Sequence, residues 1–187
     1  MEGIEVTSYS YTAAKLPVAM SPLLAFAKSV FERFVVVLNF LQAPVLLAVR
    51  LYFFWQLFQA GSGKFGNIPK VTEFFANLHI PFPLLNVYLV ASVETFGSLL
   101  LIAGLLSRLS ALAVFVSMSV AYLTADFEAV SSMFSDPDKF VKADPFPYFL
   151  IALIILVFGP GWLSLDALIG RWTHKKERLD DAVAASR

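Results

Sequence analysis

Residues 45–61, Val-Leu-Leu-Ala-Val-Arg-Leu-Tyr-Phe-Phe-Trp-Gln-Leu-Phe-Gln-Ala-Gly, form an apolar run with one guanidinium, Arg50, near its middle. A permanently charged group inside a membrane span costs several kcal/mol unless it is paired or hydrated. A second apolar run, residues 84–106, carries the one acid in comparable surroundings, Glu94. Ten residues separate Arg50 from Ala60, and ten separate Leu84 from Glu94. At ~1.5 Å rise each charge lies about 15 Å below the joining loop, level near the midplane of a ~30 Å hydrocarbon core. The expectation is that the two face each other.

Composition supports a membrane chain. Of 187 residues, 58% are hydrophobic and 15% charged, against roughly 45–50% and about 25% in soluble domains. Formal net charge is zero, which suggests no nucleic-acid partner. The absence of cysteine excludes disulfides, thiol chemistry, iron–sulfur clusters and covalent haem. Glu2 and Glu5 stand where a basic n-region would lie, so the first residues do not read as a secretory signal.

Taken in order, residues 1–22 are polar. Ser21-Pro22 resembles a helix start, and residues 23–34 suit an amphipathic helix on the membrane surface. Pro44 predicts a kink in a first span over residues 35–60, with Gly61-Ser62-Gly63-Lys64 ending it. Val71, Phe74, Phe75 and Leu78 recur at helical spacing and predict an interfacial helix over residues 70–78. The second span covers residues 84–106, with Gly97 and Gly104 on the Glu94 stripe, where they permit close helix approach. The third covers residues 109–125. Phe127, Val130 and Phe134 suggest another interfacial helix in the acidic connection that follows. Residues 147–158 form a short fourth span. Residues 162–172 read as interfacial helix and residues 173–187 as a solvated tail, so that residues 23–172 constitute one transmembrane domain. The fold class is all-α, a four-helix transmembrane bundle with additional amphipathic interfacial helices.

Four spans place both termini on one side. Lys15, Lys28, Arg33, Arg108, Arg171, Lys175, Lys176 and Arg178 lie on that side, against Lys64, Lys70, Lys139 and Lys142 on the other. The excess of basic residues puts both termini in the cytoplasm.

The sequence resembles the DoxX family of small four-helix membrane proteins. The resemblance rests on Arg50-Leu51, Gly61-x-x-Lys64, Ile80-Pro81-x-Pro83 and Glu94-x-x-Gly97. It continues through Leu105-x-Ser107-Arg108-Leu109 and Gly159-Pro160-Gly161-x-x-Ser164-Leu165-Asp166. It extends from Leu46 to Leu168 and implies a bundle in a prokaryotic plasma membrane. The family is associated with quinone-linked sulfur and oxygen metabolism, and many members accompany neighbouring redox or metal-stress systems.

Two readings attach to Arg50 and Glu94. They form a buried pair that fixes helix register, or a polar site for a quinone head group, an anion or a proton. Lys64, four helical turns beyond Arg50, reads as a rim lysine or a further ligand group. Tyr122 reads as an interhelical contact or a hydrogen-bond donor to a ligand. His79 and His174 fall on opposite sides and cannot together ligate haem. No protein-ligated redox centre and no catalytic constellation is visible. The expected role is therefore a non-catalytic membrane subunit in the lipid bilayer, binding a quinone or small amphiphile or anchoring a soluble redox or assembly partner. The alternatives are a small carrier or channel and a structural protein. An exposed apolar fourth span would also suit a homo-oligomer.

Overall fold

The computed structural model describes residues 22–185, which are helical over most of their length with no strand among them. Helix α1 spans Pro22–Gly66 with Pro44 inside it. No break separates an interfacial helix from the first span. Proline removes one backbone donor, a loss that packing within a membrane bundle tolerates. Ala43 is 1% exposed and lies within 3.5 Å of where a side chain on Gly161 would begin.

Contacts divide the chain between Leu38 and Asn39, and each part is described by itself. In the first, residues 26–38 are helical. Phe26, Phe31 and Phe34 are exposed, and Lys28 Nζ lies 3.7 Å from Glu32 Oε1 one turn on. Residues 1–21 of the polar N-terminal segment, and the last two residues of the tail, lie outside the described residues.

The second part begins with the remainder of α1. The expected stop at Gly61 does not occur, and the helix continues to Gly66. Helix α2 follows over Ile68–Asn77 and packs against α3, Pro83–Ala103. Within α3 the segment Val93–Gly97 widens into a π-turn. Gly104, with φ +71°, ends α3 in the left-handed conformation that glycine adopts without a Cβ penalty. Helix α4 spans Ser107–Thr124. The acidic connection forms two short helices, α5 at Phe127–Ser131 and α6 at Pro137–Lys142. Helix α7 covers Phe146–Phe158 and packs extensively against α4. Helix α8 covers Leu165–Ala185. It runs through most of the stretch expected as a solvated tail, because nothing after Gly170 breaks it and Lys, Glu, Arg, Leu and Ala favour helix.

The core joins α1, α3, α4 and α7 through Phe54, Leu57, Leu101, Ala111, Val114, Met118, Ile151, Ala152 and Ile155. Phe115 of α4 stacks on Phe149 of α7 with ring centres 4.7 Å apart. On the outer faces of α3 and α4 the apolar residues Leu89, Phe96, Leu109, Leu112 and Val116 are exposed. Among the described residues three helices are long and apolar enough to cross a bilayer, namely Phe26–Gly66, Pro83–Ala103 and Ser107–Thr124. Helix α7 has 13 residues, about 20 Å of rise. The protein is an all-α membrane bundle.

Candidate functional site

The structure places Arg50 and Glu94 in different settings. A Cβ at Gly104 would lie 3.1 Å from Arg50 Nη2, whereas one at Gly61 would lie 2.7 Å from Glu94 Cβ. Arg50 is therefore level with the end of α3, and Glu94 is level with Gly61, eleven residues further along α1. That is a separation of about 16 Å along the helix. The expected facing pair rested on a first span ending at Ala60. The extension of α1 to Gly66 displaces the two charges from a common depth.

Arg50 is 1% exposed, and carbonyl oxygens hold it. Nη1 donates to Pro160 O at 2.5 Å, and Nη2 donates to Leu163 O at 3.0 Å and to Ile102 O at 3.4 Å. The same two segments are tied again by Asp166. Its Oδ1 accepts from Leu106 N–H and its Oδ2 from Ser107 N–H, both at 2.8 Å, while its own N–H donates to Gly104 O at 2.9 Å. Burial opposes the Asp166 charge, but the Ser107 and Leu106 hydrogen bonds and the Arg50 charge hold its pKa below the ordinary carboxylate value. At Gly104 a side chain would collide with Ser164 Cβ at 2.6 Å. The guanidinium fork and the carboxylate together clamp the α3–α4 turn to the Gly159–Asp166 stretch. The motifs at residues 105–109 and 159–166 belong to this clamp.

Glu94, 5% exposed, pairs with Lys64 through Oε2. The π-turn explains how it gets there. Residues adjacent in an ordinary helix point ~100° apart, but a Cβ added at Gly61 would lie 2.7 Å from Glu94 Cβ and equally 2.7 Å from Thr95 N and Oγ1. Widened turns of this kind recur at functional sites. Gly61 lets the two backbones meet, and the continuing helix brings Lys64 one turn later onto the acid. Sequence reasoning had the signal, since Lys64 follows Arg50 at helical spacing and Gly61 precedes it, but took Gly61 as a stop.

The pair lines a cavity of about 460 Å³, within the range of small-molecule sites. Its wall is mostly apolar, with Leu57 and Ala60 of α1, Val90 of α3 and Met118 of α4. Phe74 and Phe75 of α2, with Leu78 just beyond its end, form another side. Asn86, Ser117 and Tyr148 supply polar groups, and Asp126 and Asp144 add two carboxylates. Sequence reasoning missed these last five. Arg50 and Tyr122 do not line the cavity. Tyr122 is 2% exposed, stacks on Phe140 at 4.7 Å and donates its hydroxyl to Phe140 O at 2.8 Å. It is committed to holding α6 against α4. Among the described residues no group of three or more metal-ligating side chains gathers.

These features define a small multi-pass membrane protein with a largely apolar cavity beside a buried ion pair. The chain belongs to the DoxX family, whose model matches residues 45–126. That stretch contains Arg50, Lys64 and Glu94 and runs to the end of α4. The chain is also 30% identical over 128 residues to an uncharacterized protein of Haemophilus influenzae, covering 66% of this chain and 82% of the relative. No solved structure gives a significant match.

Proposed function

We propose that this protein is a non-catalytic membrane subunit of a quinone-linked redox system. It holds a neutral amphiphile, of which a quinone is the best example, with its polar head against Lys64 and Glu94. The observation that carries this is the coincidence of an ion pair with a 460 Å³ apolar cavity. Lys64 offers donors to a quinone carbonyl, and the surrounding Phe74, Phe75 and Tyr148 suit a flat ring. Glu94 neutralises Lys64, and Asp126 and Asp144 add further negative charge to the wall, so an anion is disfavoured.

The carrier alternative has less support. Between the cavity and Arg50 the core residues Phe54, Leu101, Ala111 and Ile155 are fully buried at 0% exposure, and the polar groups buried at these levels, Thr95, Ser98, Ser107 and Ser110, are uncharged hydroxyls that supply no titratable relay. The reading places the protein in a prokaryotic plasma membrane with both termini cytoplasmic and the cavity toward the opposite face. There α2 and the α4–α7 connection present a surface to a soluble redox partner.

Calorimetric titration of the purified protein with a benzoquinone tests the reading. One-to-one binding that is abolished in the Lys64→Met/Glu94→Met double variant, with the fold retained, is expected. Removing both charges leaves no unpaired ion behind. Equal binding by wild type and double variant would refute the head-group assignment.

A further inference from the structure

A second concavity runs along the membrane face between α3 and α4, with a volume of about 440 Å³. It shares four residues, Asn86, Val90, Ser117 and Val120, with the wall of the Lys64–Glu94 cavity. Asn86 and Ser117 are its polar lining residues, and both lie at the shared boundary. Beyond them the groove is lined by aliphatic side chains alone, among them Leu89, Val93, Leu112 and Val116. Ser117 Oγ is buried at this seam with no hydrogen-bond partner among the described residues. On α4 the lining runs from Val120 down to Leu109, a length of about 16 Å, or roughly half of a ~30 Å hydrocarbon core.

We infer that the cavity and the groove form one bipartite site for a long-tailed amphiphile. The head occupies the cavity, and the hydrocarbon tail passes the Asn86–Ser117 seam to lie between α3 and α4. This deepens the reading above and rests on it. The four lining residues common to the two spaces support it, as does the wholly aliphatic lining of the groove beyond Asn86 and Ser117. The groove's length matches a chain reaching from one interface to about mid-membrane. It also sets the route of entry, laterally from the bilayer between α3 and α4. The tail supplies apolar burial and the cavity supplies orientation.

The test compares a tail-less benzoquinone with the same ring carrying a ten-carbon chain that ends in a photoactivatable diazirine. Ala113→Trp fills the groove without altering any cavity residue. Wild type should bind both probes, and light should attach the tailed probe to residues between Leu109 and Val116. Ala113→Trp should weaken the tailed probe by about tenfold and leave the tail-less probe unchanged. Tailed binding unaffected by Ala113→Trp, or labelling confined to α1 or α8, would overturn the bipartite site and leave the cavity reading standing. Failure of wild type to bind either probe would overturn both. Equal groove labelling by a diazirine-bearing phospholipid, with no competition from the tailed quinone, would mark the groove as ordinary lipid contact and overturn the inference.

Discussion

At the scale of single residues, the two intramembrane charges have separated into different kinds of interaction. Arg50 satisfies three carbonyls at one end of the bundle, where a guanidinium fork succeeds and a point charge would not. Arg50→Met leaves those carbonyls unmatched and should lower stability by roughly 2–5 kcal/mol, measured by denaturant unfolding in micelles. Ligand affinity of the folded fraction should not change. Arg50→Lys should recover only part of the loss. Asp166 gives the clamp a pH dependence. Its folded pKa lies below the ordinary value of 3.8, so its stabilisation is complete above that value and disappears as pH falls through the folded pKa. The stability difference between wild type and Asp166→Asn should be constant near neutrality and shrink below about pH 4. A difference that grew on acidification would contradict the assignment. That Arg50, Glu94 and Lys64 matter was legible from the sequence, because a charge in an apolar run demands a partner. Which partner each takes was not legible. Backbone carbonyls carry no sequence signature, and the helix register depends on where α1 ends.

At the scale of elements, glycines decide how α1 and α3 meet. Gly61 sits against Glu94 and Thr95 with no room for a Cβ, whereas Gly63 has nothing within 4 Å. Gly61→Ala should destabilise the protein by roughly 1–3 kcal/mol through overpacking and disturb the Lys64–Glu94 pair. Gly63→Ala should be neutral or should stabilise by up to about 1 kcal/mol through helix propensity. Parallel thermal unfolding of the two variants checks this contrast, and equal effects would refute the close approach. Apolar length made the helices of the bundle readable in the sequence. The π-turn at Val93–Gly97 was not readable, since Val, Glu, Thr, Phe and Gly carry no composition that marks a wider turn within an apolar helix. The run of α8 to Ala185 was obscured by its polarity, although its propensities favour helix.

At the scale of the whole molecule, two polar sites lie at opposite ends of a common apolar core. One is closed by a clamp, and the other opens into a cavity walled partly by α2. The proposed topology puts Lys139 outside and Lys176 in the cytoplasm. Because the chain has no cysteine, single variants Lys139→Cys and Lys176→Cys can be labelled with an impermeant maleimide on a clean background. The first should react in intact cells and the second only after permeabilisation, and the reverse pattern would invert the topology. The most direct test of the binding role is native mass spectrometry of the protein extracted mildly from its own membrane, with the released molecules identified. The account predicts one long-tailed neutral amphiphile per chain, a quinone foremost, present in wild type and absent from Lys64→Met/Glu94→Met. A chain carrying only bulk phospholipid, or an amphiphile retained in full by the double variant, would contradict it.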